Sequence, residues 1–476
     1  MNKLFLAVLL FVAANVVAQE QHRPRFHFSP KEKWINDPNG MFYYKGIYHL
    51  FYQYYPDDTK WGPMHWGHTI SKDMIHWQEQ PVALYPDSLG YIFSGSAVVD
   101  VNNTSGFGKD DKTPIVAIFT HHDPNGEKEK RNDFQVQSIA YSLDEGKTFK
   151  KYSGNPVVPN PGITDFRDPK VMWYEPQKKW IMTLATKDRI TFYSSPDLQQ
   201  WNRESEFGAD KGAHGGVWEC PDLFPLQLEG KEYWVLLVSI NPGGPNGGSV
   251  TQYFIGDFDG KNFTPMDDEQ RWMDYGPDNY AGVTFSNLGD RKVLMGWMSN
   301  WQYAQVVPTE KWRGAFTLPR ELSLKKAGGK IYLASSPAKE FDKILGKKAP
   351  LEKNPGLFQL EFSASAAKDF SVSLSNAKNE ELIIGYDKAA NKYYIDRTKS
   401  GKVDFEPGFA KRVEAARISD DKNIKLRLVA DVASVELFAD DGLTVMTAIF
   451  FPSSLLNNVN VKGVDENNVK LTAIKP

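Results

Sequence analysis

Cysteine is almost missing from this sequence: Cys220 is the single one in 476 residues. An intramolecular disulfide is therefore excluded, and stability must come from packing. A lone thiol is also a candidate nucleophile, but such a residue is more often simply packed, and Cys220 is read that way. No run of Lys or Arg occurs, and 56 basic against 59 acidic residues leave a formal net charge of -3. That balance argues against nucleic acid or an anionic membrane as partner. The substrate is expected to be neutral or unconstrained by charge. Beyond the first residues no segment is apolar enough to span a bilayer, which needs ~20 residues. The spacings H-E-x-x-H and H-x-H are absent, so His68, His121, His122 and His214 are read as structural or solvated. Neither a metal nor a cofactor is expected. Long helical periodicity is lacking too, and no tryptophan follows Trp312.

What is present begins with an export signal. Lys3 supplies a positive start, Leu4 to Ala14 an apolar run, and Val16-Val17-Ala18 a small-residue cleavage site before Gln19. Residues 1–18 are thus expected to be a signal peptide, and the mature protein to be exported to a periplasm or the medium. The leader holds no cysteine, so no lipid anchor is expected. The loss of tryptophan after Trp312, with a Ser-, Pro- and Lys-rich stretch from Ala334 to Lys353 read as a linker, divides the rest into 19–335 and 336–476.

The first part reads as strand throughout. Met41 to Tyr52, Thr113 to Thr120, Val171 to Thr183 and Trp234 to Ile240 are rich in aromatic and β-branched residues between turn clusters. A weak repeat runs through it. Ser71-Lys72-Asp73 leads to Trp77, Ser142-Leu143-Asp144 to Phe149, Ser195-Pro196-Asp197 to Trp201, and Gly256-Asp257-Phe258-Asp259 to Phe263. Each unit looks like an Asp-bearing turn joining the last strands of a four-stranded sheet. At this period about 300 residues give roughly five units, which predicts a five-bladed β-propeller. The second part alternates with period two, as in Phe358-Gln359-Leu360-Glu361-Phe362 and Ile424-Lys425-Leu426-Arg427-Leu428, and carries an Asp-Gly hairpin signal at Asp441-Gly442. It reads as a β-sandwich. The fold class is all-β.

Three carboxylates stand out, each within two residues of a proline: Asp37 in W-I-N-D-P-N-G, Asp168 in F-R-D-P and Glu219 in W-E-C-P-D. Asp-Pro and Asn-Gly are turn dipeptides, so Trp34 to Gly40 is expected to bend. A residue before proline is driven toward extended geometry. Asp37 and Asp168 are therefore expected to be extended and pre-set for chemistry. Taken singly, either Asp-Pro is better read as an ordinary turn, and Glu219 is read equally well as an ordinary salt-bridge partner. Together, on first strands lining a propeller channel, they suggest glycoside hydrolysis by paired carboxylates.

These stretches resemble glycoside hydrolase family 32, the β-fructosidases. The likeness is carried by W-I-N-D-P-N-G (34–40), F-Y-Q-Y (51–54), Trp61 through W-G-H (66–68), F-S-G-S (93–96), F-R-D-P (166–169), W-E-C-P-D (218–222), D-N-Y-A-G (278–282) and G-W-M-S-N-W (296–301). It covers nearly the whole mature chain and implies the same propeller and sandwich. It implies that Asp37 is the nucleophile, that Glu219 is the acid/base, and that Asp168 with Arg167 holds fructose hydroxyls. Asn36, Gln53, Trp61, Phe93, Ser94, Tyr280 and Trp301 fall where the family builds its terminal fructose pocket. The expected reaction retains configuration through a covalent fructosyl-enzyme, with the two carboxyl groups ~5–5.5 Å apart. Two similar acids then need environments that push them apart, and Trp218 with its aromatic neighbours is expected to shield Glu219 from water. The segments around Trp61, Trp218 and Gly296 look most like the exo-acting levanase and inulinase group, which implies release of terminal fructose from levan, inulin or sucrose. An endo-acting levanase, an invertase or fructosyltransferase, and a non-catalytic fructan-binding protein are the alternatives. Without tryptophan, the second domain is expected to pack rather than to grip polymer.

Overall fold

The structure, a computed structural model, describes residues 20–351 and 356–476. The expected signal peptide, residues 1–18, lies outside them. Strands dominate, and the one α-helix among the described residues is the short Pro124–Lys128.

From Lys33 to Pro337 the strands form five sheets in succession along the chain. We number them I to V after their first strands, Lys33–Tyr44, Tyr91–Val99, Phe166–Tyr174, Val217–Leu228 and Tyr280–Thr284. Each is an antiparallel meander, to which sheet I adds a parallel edge from Trp312–Arg313. Polar side chains tie the first strands to one another. Ser96 of sheet II donates to the carbonyl of Pro169 in sheet III at 2.9 Å. Lys170 reaches Asp222 of sheet IV at 3.1 Å and the Thr284 carbonyl of sheet V at 2.5 Å. Ser286 donates to the Ala97 carbonyl at 2.7 Å and bridges in parallel with Phe42 of sheet I. The row of sheets therefore curls until V lies beside I.

The repeated Asp turns take the place expected of them. Asp73, Asp144 and Asp197 each accept a bond from the serine two residues earlier, at 3.0, 2.7 and 3.2 Å. Their carboxylates also cap backbone N–H groups of the turn, as Asp259 does for Lys261 and Asn262. Asx turns of this kind pre-organise the link between an outer pair of strands.

Beyond Pro337 a six-stranded and a five-stranded antiparallel sheet share one apolar core, to which Leu360, Val372, Ile384 and Leu428 belong. The stretch 334–353, expected as a linker, is structured over its described length. It holds the end of strand Lys330–Pro337, a 3-10 turn at Lys339–Ile344 and strand Leu345–Ala349. The reason is apolar content hidden between the lysines: Phe341 and Ile344 are buried with Phe26, Val429 and Phe438 at the seam between the two regions.

Candidate active site

All five first strands break register at the same place. In sheet I, Ile35 pairs with Tyr54 and Pro38 with Tyr52, so Asn36 and Asp37 face Gln53 alone. Phe93-Ser94 stand opposite Thr120, Asp168-Pro169 opposite Leu184, Cys220-Pro221 opposite Val238, and Ala281-Gly282 opposite Gly296 in the same way. A bulge of two residues against one re-aims side chains and sharpens the local twist. Each of the five bulges lies within the first few residues of its strand.

This corrects two expectations. Trp34 to Gly40 is not a reversing turn. It lies within a continuous strand, Lys33–Tyr44, whose irregularity is absorbed by bulges between Ile35 and Pro38 and between Asn39 and Phe42. Gly40 at φ +56° completes the second kink, and a Cβ there would stand 2.7 Å from the Trp66 ring. Asp168 is not extended despite the following proline. Its φ is +64°, and Cys220 and Ala281, at matching points of their bulges, have φ +43° and +54°. Left-handed geometry at non-glycine residues is strained and persists only where surroundings fix it. For Asp168 the fixing bonds are its N–H to Thr120 Oγ1 at 3.1 Å and the Cys220 N–H to its Oδ2 at 3.0 Å.

The bulges open into a pocket of about 250 Å³ whose wall includes Asp37, Asp168 and Glu219. Asn36, Gln53, Trp61, Phe93, Ser94, Arg167 and Trp301 line it as well. Tyr280 stands behind the wall, and its hydroxyl donates to Glu219 Oε2. Trp34 Nε1 donates to Asn36 Oδ1 at 2.8 Å, which sets the amide so that Nδ2 donates to Asp37 Oδ1 at 2.9 Å. Ser94 Oγ donates to Asp37 Oδ2 at 2.7 Å. Arg167 gives Nη2 and Nε to Glu219 Oε1 at 2.9 and 3.3 Å, and Nη1 to Asp165 at 2.6 Å. Gln53 Nε2 is buried without a protein partner, an unused donor at the wall. Trp301 stacks on Trp34 with centroids 5.8 Å apart.

Burial, and then the charge of Glu219, push the Asp37 carboxyl above its usual range, while the Asn36 and Ser94 bonds work the other way. Asp168 is pushed up to about 7, because burial outweighs the pull of Arg167. The Cys220 thiol, 3.5 Å from Asp37 and 3.6 Å from Asp168, is raised by burial and by both carboxylates. It stays protonated and is no nucleophile, in keeping with its reading as a packed residue. Trp218 does not shield Glu219. Successive strand residues point to opposite faces, and the Trp218 ring is buried on the far one, its Nε1 on the Ala213 carbonyl at 2.8 Å.

Sequence reasoning missed part of the wall. His122, Gln135, Asp165 and Gln305 also line the pocket. His122 is buried and stacked under Phe93 at 4.2 Å, with Gln135 at 3.2 Å and Glu127 at 3.1 Å from its nitrogens. His68 is buried against His49 at 3.1 Å, and His214 lies beside Trp218. Among the described residues no group of three or more His, Cys, Asp or Glu is placed to hold a metal ion.

Two family models match the chain: the glycosyl hydrolases family 32 N-terminal domain over residues 27–335 and the family 32 C-terminal domain over residues 338–475. A levanase of Bacillus subtilis is 47% identical over 460 residues, spanning 91% of this chain and 67% of that protein. An extracellular exo-inulinase of Aspergillus niger is 42% identical over 486 residues, spanning 91% and 90%. The crystal structure of an exo-inulinase from Aspergillus awamori superposes with a TM-score of 0.88 at 38% identity, over 96% of this chain and 99% of that one. A β-fructofuranosidase from Schwanniomyces occidentalis, complexed with fructosyl-erythritol, gives 0.82 at 34% identity, over 96% and 95%.

Proposed function

The chain belongs to glycosyl hydrolase family 32 and is a glycoside hydrolase, and we propose that it releases terminal fructose from β-fructans and sucrose with retained configuration. The observation that carries this reading is the meeting of Asp37, Asp168 and Glu219 at one small pocket walled by Trp61, Phe93 and Trp301. Aromatic faces suit the apolar side of a sugar ring, and the unused Gln53 donor suits a hydroxyl.

Asp37, ionised, attacks the anomeric C2 of the fructosyl unit. The C2–O bond to the leaving group breaks, and Glu219 gives that oxygen its proton. The Asn36 and Ser94 donors hold Asp37 in line and favour its charged form. Asp168 accepts fructose hydroxyls and offsets positive charge developing at C2 and the ring oxygen. In the second half water bonds to C2, the Asp37 ester breaks, and Glu219 takes the proton from water. Arg167 and Tyr280 keep Glu219 aimed through both halves.

The five sheets between Lys33 and Pro337 are the blades of a propeller, and the sheet pair beyond Pro337 is a sandwich, so the boundary falls two residues after the expected 335/336. The Phe42–Ser286 bridge and the shared core beyond Pro337 support that division. Export to a periplasm or the medium is supported by the leader composition and by the extracellular inulinase relative. The test is product analysis on levan, inulin and sucrose side by side. Fructose is expected as the first product from all three, with the β-anomer appearing first by NMR. Early oligosaccharides, transfer products or the inverted anomer would each overturn one part of the reading.

A further inference from the structure

Near neighbours in sequence of two site residues are bonded to the same arginine. Tyr280, which donates to Glu219, lies two residues after Asp278, and Trp301 of the pocket wall lies two residues before Tyr303. Asp278 and Tyr303 face Arg397, on strand Lys392–Lys399 of the C-terminal sheet pair. Arg397 Nη1 donates to Asp278 Oδ2 at 2.8 Å and Nη2 to the Tyr303 oxygen at 3.0 Å, while the Tyr303 hydroxyl donates to Asp278 Oδ1 at 2.5 Å. The three groups close a ring of bonds. All are buried, and the two charged side chains have no solvent exposure.

The rest of the guanidinium is equally committed. Nε donates to the Phe409 carbonyl at 2.8 Å, Nη1 also to that of Ile449 at 3.2 Å, and the Phe409 ring centroid lies 3.8 Å from the guanidinium carbon. The Ile449 N–H in turn donates to Asp278 at 2.9 Å. A buried ion pair loses in desolvation much of what it gains in attraction, so stability alone is a weak reason to keep one. What a planar fork supplies is direction: it fixes a carboxylate and a phenol together, which a point charge on a flexible stem does not.

We propose that Arg397 is a positioning residue for the hydrolytic site, setting through Asp278 and Tyr303 where Tyr280 meets Glu219 and where Trp301 stands. The C-terminal sheet pair is then a working part of the site rather than a stabilising appendage. The inference rests on the roles assigned above to Glu219 and Trp301. A displacement of 1 Å in such a group is enough to cost ~100-fold in rate.

The experiment compares Arg397→Lys, Tyr303→Phe and a control, Arg417→Lys. Arg417 pairs with Asp440 at 2.9 Å inside the sheet pair and has no bond to Asp278 or Tyr303. Wild-type fructose release is measured first; its absence would refute the proposed function. Near-UV circular dichroism, which reports tryptophan stacking, is read on the same samples and tests the positioning without activity. Arg397→Lys and Tyr303→Phe are expected to lower kcat about tenfold or more, to displace the kcat–pH profile and to alter the tryptophan dichroism. Arg417→Lys is expected to lower Tm while kcat, pH profile and tryptophan dichroism stay those of the wild type. If Arg397→Lys does not fold, Tyr303→Phe, which deletes one hydroxyl, carries the test. Wild-type kcat, pH profile and dichroism in folded Tyr303→Phe, or equal losses in Arg417→Lys, would overturn the proposal.

Discussion

Ser94 of the second sheet donates its hydroxyl to Asp37 of the first at 2.7 Å. The bond crosses from one bulge to the next and ends on the carboxylate assigned to attack. A hydrogen bond to a charged acceptor contributes roughly 1.5–3 kcal/mol. Ser94→Ala should therefore lower kcat/KM by roughly tenfold to a hundredfold, with Tm little changed. Steady-state kinetics on sucrose beside a thermal melt separates this from a packing role, for which Tm falls and the rate per folded molecule does not.

Asp37→Ala and Glu219→Ala should both be folded and nearly inactive, but they should differ in rescue. With a substrate whose leaving group needs no proton, Glu219→Ala should regain activity with added azide and yield a fructosyl azide, because the Asp37 ester still forms. Asp37→Ala has no ester to intercept on that route. Azide product with retained configuration from Glu219→Ala is the expected outcome, measured by NMR. Equal rescue of both variants would exchange or dissolve the assigned roles.

Much of this site is legible in the sequence. The turn residues Asp73, Asp144 and Asp197 marked the sheet period, and the proline-flanked Asp37, Asp168 and Glu219 marked the carboxylates. The local geometry was harder to read. Asn36-Asp37, Phe93-Ser94, Asp168-Pro169, Cys220-Pro221 and Ala281-Gly282 share one bulge but almost no residue type, since a bulge is defined by pairing with the next strand and not by composition. Proline after Asp168 predicts extension, but the chain there is left-handed, as it also is at Cys220 before Pro221. His122 and Gln135 were missed for a related reason. They reach the pocket through stacking on Phe93 and a bond to each other, and neither contact leaves a trace in spacing.

The seam between the sheets and the C-terminal pair should give the protein an alkaline limit. His27 lies buried with Asp431 and Glu436, each 2.7 Å from one of its nitrogens. Burial alone would lower its pKa, but bonds to the two carboxylates raise it to about 9. A group whose folded pKa lies above its unfolded value of 6.5 contributes fully below pH 6.5, and that contribution is lost as pH rises through about 9. The effect is of order 3 kcal/mol. Glu436, held down to about 2 chiefly by Arg320 against its burial, keeps its full contribution above pH 4.5 and loses it as pH falls from there through about 2. Tm of the wild type should fall between pH 6.5 and 10, and His27→Gln should start lower and fall less. Parallel curves for the two proteins would refute this.

Asp168 should show the opposite relation between stability and use. Its folded pKa, about 7, lies above the ordinary aspartate value of 3.8, because burial outweighs Arg167. Between those two values the folded chain holds a proton that the unfolded chain releases, so stability falls as pH rises from about 3.8 and the loss is complete above about 7. Asp168→Asn keeps the side-chain oxygen that receives the Cys220 N–H and removes the charge. It should therefore raise Tm at pH 8 by a few degrees, have little effect on Tm at pH 4, and cost at least a hundredfold in kcat. A site that spends stability on a buried charge for the sake of rate predicts this pairing of gain and loss. Thermal melts at the two pH values with kcat at pH 8, where Asp168 is ionised, test it directly. A lower Tm at pH 8 with unimpaired kcat would mean that Asp168 only supports the fold.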